Sequence, residues 1–248
     1  MKNLLLSLGI LVVIIIAMSF KTKKSDLPPG TIEVKANFYF DKTEIRNLDW
    51  EEFLYWTKRI YGVNSKEYLA IIPDTTVWES EELTSMQKNY LRNPQFNEYP
   101  VVGITLEQAN LFCKWRTDRV NEMLWVKSGK EWGVVKELKY EYKDLPKVVE
   151  YRIPTKDEWL LVSNNLNLKE DEKKKDKRKI NTKYLTYQTA SFKIQKISGL
   201  DDNVSEMTSE NGVAMGGNWK NGNNYNEVKY TESSNIIGFR CVCKRIVK

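Results

Sequence analysis

The apolar residues of this chain recur at helical spacing in three places, separated by long polar connections. Trp50, Phe53, Leu54, Thr57, Ile60 and Tyr61 fall on one helix face, and Asp49 with Glu52 supplies a capping box at its start. Thr105 with Gln108 opens a second helix, whose Leu106, Ala109, Phe112, Cys113 and Val120 point one way. Thr155 with Glu158 opens a third, shorter helix with Trp159 and Val162 inward. Strand-like pieces lie at residues 32–40, 148–152 and 239–247, and many remaining residues sit in Gly/Asn-rich loops such as 211–226. No internal repeat is present.

Two stretches interrupt this pattern as insertions. Residues 118–149 mix Trp125, Trp132 and two tyrosines with many charges, a composition able to pack. Residues 164–183 are charged and poor in apolar side chains, as in a surface loop. The N-terminus reads as a targeting element over residues 1–19. Lys2 precedes an apolar run from Leu4 to Ala17, and Ala17-Met18-Ser19 carries the small residues of a cleavage site. The run is shorter than the roughly 20 residues a spanning helix prefers. Lys21, Lys23 and Lys24 follow it, which disfavours translocation behind a retained anchor. A cleaved signal and a retained anchor both stay open, and either places the chain in the periplasm or cell envelope. A linker over 20–30 then leads to a domain over 31–248. No cysteine ends the run, so a lipid anchor is not expected.

Composition narrows the chemistry. The 248 residues suffice for one sizeable domain, or two small ones, and 8 Trp with 13 Tyr supply a core. There is no histidine, which removes imidazole acid–base catalysis and imidazole metal ligation. The net charge of +6 has two sources. In residues 1–26, Lys2, Lys21, Lys23 and Lys24 outweigh Asp26; in residues 169–179, seven basic residues face four acidic ones. A nucleic-acid binder carries its excess on a folded face, so a nucleic-acid partner is not expected. Membrane contact is expected only through the N-terminal segment.

Motifs in the last third carry a family resemblance. Asn203-Val204-Ser205-Glu206-Met207-Thr208-Ser209, Gly216-Gly217-Asn218-Trp219 and Gly238-Phe239-Arg240-Cys241 follow one another, with Tyr151-Arg152-Ile153-Pro154-Thr155-Lys156-Asp157-Glu158-Trp159 upstream. Phe40-Asp41-Lys42-Thr43-Glu44-Ile45-Arg46-Asn47 and the segment Tyr99–Trp115 add to the match. In this order they resemble the formylglycine-generating enzyme (sulfatase-modifying factor) family. The resemblance implies an α+β fold, C-type-lectin-like, with much irregular structure.

The same resemblance removes the family's oxidase chemistry from expectation. Active members hold copper with two cysteines after the Gly-Gly segment. Here Asn221 and Asn226 occupy those places, and a neutral amide does not replace a soft thiolate. Met215 also stands where an arginine usually precedes Gly216. The family's iron-dependent sulfoxide synthases rely on histidines, which this chain lacks. Copper is therefore not expected. Trp219, Asn221, Tyr225 and Asn226 mark the corresponding cleft.

The resemblance further implies a disulfide between Cys113 and Cys241, which an exported compartment permits; Cys243 is left over. It also makes calcium a candidate cofactor, held by Asp201, Asp202, Asn203 and Glu206 as hard oxygen donors. Gly199 occupies the place of one side-chain ligand, and polar capping of the loop backbone is the alternative. Gly216, Gly217 and Trp219 read more simply as structural.

Cys113-Lys114-Trp115-Arg116-Thr117-Asp118-Arg119-Val120-Asn121-Glu122, with the insertion after it, resembles the branch containing gliding-motility and type IX secretion lipoproteins. That implies a noncatalytic exported module binding a protein partner in an envelope assembly, through 118–149 or 211–226. An enzyme with altered chemistry in the same cleft, and a lectin-like binder of glycan or another small polar ligand, remain the alternatives.

Overall fold

The computed structural model describes residues 28–81, 89–128, 146–165, 186, 188–189, 193–194 and 197–246. Residues 1–19, expected to be a targeting element, and most of the 164–183 stretch lie outside them. Among the described residues no helix is long and apolar enough to cross a membrane.

The first strand-like piece is a hairpin. β1 (Thr31–Lys35) and β2 (Phe38–Asp41) pair antiparallel, and Asn37 turns the chain at φ 62°. Asn tolerates that left-handed conformation better than most residues, which is why one apolar-rich run folds as two strands. β2 pairs with β10 (Val242–Arg245), and β10 with β3 (Val149–Arg152), giving the order β1-β2-β10-β3. The two ends of the domain are thereby hydrogen-bonded side by side.

Two long helices pack beside this sheet. α1 (Asn47–Tyr61) starts three residues earlier than its pattern predicts, and Asp49 caps from inside its first turn. The Asp49 carboxylate accepts the Arg46 main-chain N–H at 3.0 Å and pairs with the Arg46 guanidinium at 2.7 Å. Glu52 takes no part in the cap and is exposed. Trp50, Phe53, Leu54 and Thr57 are buried as expected, whereas Tyr61 is exposed. After the short α2 (Lys66–Leu69), α3 (Leu106–Lys127) begins on the predicted box: Thr105 Oγ1 accepts from Gln108 N at 3.2 Å, and Gln108 Oε1 from Thr105 N at 2.9 Å. The Trp50 and Phe112 rings stack at 5.5 Å, with Phe239 edge-on to both.

Residues 118–127, read as the start of an insertion, are the last turns of α3. Asn121 there is buried and ties the helix to β3. Its Nδ2 donates to Val149 O at 2.8 Å, and its Oδ1 accepts from Val148 N at 2.7 Å and Val149 N at 3.1 Å. Residues 129–145, the remainder up to that joint, lie outside the described residues.

α4 (Lys156–Asn165) also begins on its predicted box, Thr155 N donating to Glu158 Oε2 at 2.9 Å and Glu158 N to Thr155 Oγ1 at 3.1 Å. A two-stranded ribbon follows, β4 (Lys193–Ile194) with β5 (Ile197–Ser198). The last sheet contains β6 (Ser205–Met207), β7 (Val213–Met215), β8 (Glu227–Lys229) and β9 (Ile237–Gly238) in the order β8-β7-β6-β9, with β6 and β9 parallel. Short strands and long irregular connections make an α+β domain.

Candidate functional site

The family-like motifs converge on a buried polar centre. Glu44 follows β2, Glu206 lies within β6 and Arg240 follows β9; all three side chains are inaccessible to solvent. The Arg240 Nη2 bonds Glu206 Oε1 and donates to Ser198 O at 2.7 Å, while Nη1 donates to Asp41 O at 3.2 Å. The other Glu206 oxygen accepts the Trp159 indole N–H at 2.7 Å. Glu44 Oε1 accepts from Asn203 Nδ2 at 2.9 Å, and its Oε2 lies 3.9 Å from Arg240 Nη2.

One guanidinium thus faces two carboxyl groups out of water. Burial pushes Glu44 up to about 8; the nearby Glu206 charge adds to this, and Arg240 opposes it. Burial also raises Glu206, against the hydrogen bonds from Arg240 and Trp159. Like charges in a low dielectric cannot both ionise easily, so one carboxyl keeps its proton at neutral pH. Gly199, at φ +67°, seats Glu44: a Cβ there would stand 2.2 Å from Oε1.

The Gly-Gly segment is built on the same centre. Gly216 has φ +90°, and a Cβ on Gly217 would meet Asp201 O at 2.1 Å, so the turn lies directly on the 200–201 backbone. Asn224 N donates to Asp201 O at 2.8 Å, Trp219 N to Asn203 O at 3.0 Å, and Gly216 N to Asn226 O at 2.9 Å. Asn218, fully buried, accepts from Lys220 N at 3.0 Å and Asn221 N at 2.9 Å. The loop is therefore held through its main chain.

The four cleft candidates do not share one pocket lining. Asn221 and Asn226 are exposed on the loop. The Trp219 ring lies 6.4 Å from Trp78 and donates to Asn235 O at 3.0 Å, while Tyr225 lies 6.4 Å from Trp159 in a different cluster. The calcium candidates Asp201, Asp202, Asn203 and Glu206 are all buried. Glu206, with both oxygens committed to Arg240 and Trp159, does not fit as a cation ligand. Among the described residues no three Asp, Glu, Cys or His side chains group to hold a metal.

The three cysteines lie at the α3–β10 interface. Cys113 Sγ and Cys241 Sγ are 3.3 Å apart as buried, unbonded thiols. Burial pushes the Cys241 thiol up well above its ordinary value and Cys243 up to about 12, so neither is a ready thiolate nucleophile. The sulfur-rich interface is separate from the Asn221–Asn226 loop.

Glu44, Asn218 and Asn121 were not singled out as functional positions by the sequence. Glu44 and Arg240 stand inside the motifs that carried the resemblance, but nothing local shows that strands so far apart in sequence bring them together.

The sequence matches the sulfatase-modifying factor enzyme 1-like domain family over residues 11–245. The chain belongs to that family. Among solved structures, this family member is similar to the crystal structure of CarF, at 16% identity and TM-score 0.44, over 85% of this chain and 87% of that one. It is also similar to Treponema denticola variable protein 1, at 14% identity and TM-score 0.41, over 84% of each chain. No curated protein matches the sequence.

Proposed function

We propose that this sulfatase-modifying-factor-like protein is a noncatalytic exported module that binds a protein partner in a cell-envelope assembly, such as gliding or secretion machinery. One observation carries the reading. Where the family's oxidases place copper thiolates, this chain presents the exposed amides Asn221 and Asn226, and its three thiols are buried at α3 and β10. Soft copper needs sulfur donors, and amides do not supply them. The rigid scaffold leaves its connections to carry recognition, the usual place for it. The connection after α3 is the first candidate, within 129–145, because residues 118–127 are structural.

The test is crosslinking and affinity capture from solubilised envelope, using the full chain and a form lacking 129–145. A stoichiometric partner lost with the deletion supports the module. Specific capture by neither form, with substrate turnover that depends on Asn221 or Tyr225, overturns it in favour of an enzyme.

A further inference from the structure

The sequence holds two Asn-Gly pairs, Asn211-Gly212 and Asn221-Gly222. Glycine has no Cβ, so the main-chain nitrogen after each asparagine is open to approach by the asparagine side chain. Both asparagines are exposed, yet the two glycine N–H groups differ. Asn211 and Gly212 form the turn of the β6–β7 hairpin, closed by Val213 N donating to Glu210 O at 3.1 Å. The Gly212 carbonyl accepts from Tyr230 N at 3.1 Å, but its own N–H has no hydrogen-bond partner among the described residues. Gly222 N instead donates to Asn218 O at 2.9 Å. The fully buried Asn218 side chain fixes that second turn from inside, accepting from Lys220 N and Asn221 N.

We propose that Asn211 is a self-modifying position: the Gly212 main-chain nitrogen displaces its side-chain amide, leaving aspartate or isoaspartate in the β6–β7 turn, while Asn221 is held against the same reaction.

The step needs only water. The Gly212 nitrogen gives its proton to solvent base and attacks the Asn211 side-chain carbonyl carbon. A bond forms between them, the bond from that carbon to the side-chain nitrogen breaks, and ammonia leaves after taking up a proton. Water then opens the five-membered imide at either carbonyl, giving aspartate or isoaspartate. An N–H that already donates to a carbonyl must give up that bond before its nitrogen can turn toward the side chain. Gly222 would have to leave the turn built on Asn218, whereas Gly212 has no such bond to lose. The product matters to the fold in two ways. A new carboxylate stands beside Glu107 and Lys114 on the first turns of α3. Isoaspartate also adds a carbon to the main chain inside the turn that Val213 and Glu210 close, and this hairpin carries Glu206 to Arg240.

The decisive experiment incubates the full chain at pH 8 and 37 °C, folded or in guanidinium chloride. Mass spectrometry follows the peptide carrying each Asn-Gly pair, reading the mass gained when NH2 is replaced by OH. In the folded chain Asn211 is expected to convert at least about tenfold faster than Asn221. In guanidinium the two rates should converge, because the bond that protects Asn221 is gone. An unchanged Asn211 in folded protein, equal rates at the two sites there, or a gap that persists in guanidinium each overturns the proposal. Aged folded protein should also unfold at a lower temperature than fresh protein. Asn211→Gln, which would have to close a larger ring, should remove that loss; a loss of the same size in this variant overturns the link to the hairpin.

Discussion

Glu44 and Glu206 share Arg240, yet their substitution should have different consequences. Glu206 makes the direct bond to the guanidinium, so Glu206→Gln leaves a buried positive charge poorly paired and is expected to cost about 3 kcal/mol in urea denaturation at pH 7. Glu44 holds its proton to about 8 in the fold against an ordinary 4.5, so the native state binds more protons between those values. Its contribution to stability is therefore complete below about pH 4.5 and is lost as pH rises through about 8. Glu44→Gln mimics the neutral acid. The variant should match the unsubstituted protein at about pH 4 and exceed it in stability at pH 9; equal urea midpoints at pH 9 would sink this account. Neither effect is legible in the sequence, because a carboxyl's titration depends on neighbours that only folding supplies.

At the scale of elements, the helix starts were the most readable feature. Thr105-Leu106-Glu107-Gln108 and Thr155-Lys156-Asp157-Glu158 are local signals, and both boxes form where the residues predict. Asp49 misled by three residues because an acidic side chain serves equally as a cap or as the third residue within the turn. The long α3 was harder to bound. Its second half mixes charges with apolar residues because one side meets β3 through an amide rather than through hydrocarbon. Asn121 satisfies three main-chain groups of residues 148–149, so Asn121→Ala is expected to cost about 3 kcal/mol by leaving buried groups unpaired. Thermal denaturation with a far-ultraviolet control for helix content checks it. A loss below about 1 kcal/mol would mean that water replaces the amide.

For the whole molecule, the joining of distant segments sets the expectations. β2 and β10 pair across almost the entire domain, and Cys113 and Cys241 meet at the same seam. In an oxidising compartment the two sulfurs are expected to bond, closing a long loop and stabilising by roughly 4–5 kcal/mol on chain-entropy grounds. Thiol titration in denaturant should then find one reactive cysteine in exported protein; three would refute the disulfide. Removal of 118–149 should abolish the cooperative unfolding transition, since it takes Asn121 and the edge of β3.

Order of motifs and capping residues are properties of the chain read end to end, and they determined the family and the α+β class. These signals are local or need only correct order. The tertiary structure alone decided that Glu206 belongs to Arg240 and that Trp219 and Tyr225 turn into different clusters. Each depends on contacts between residues far apart in sequence, whose partners are chosen by packing and by the energetic need to pair polar groups removed from water.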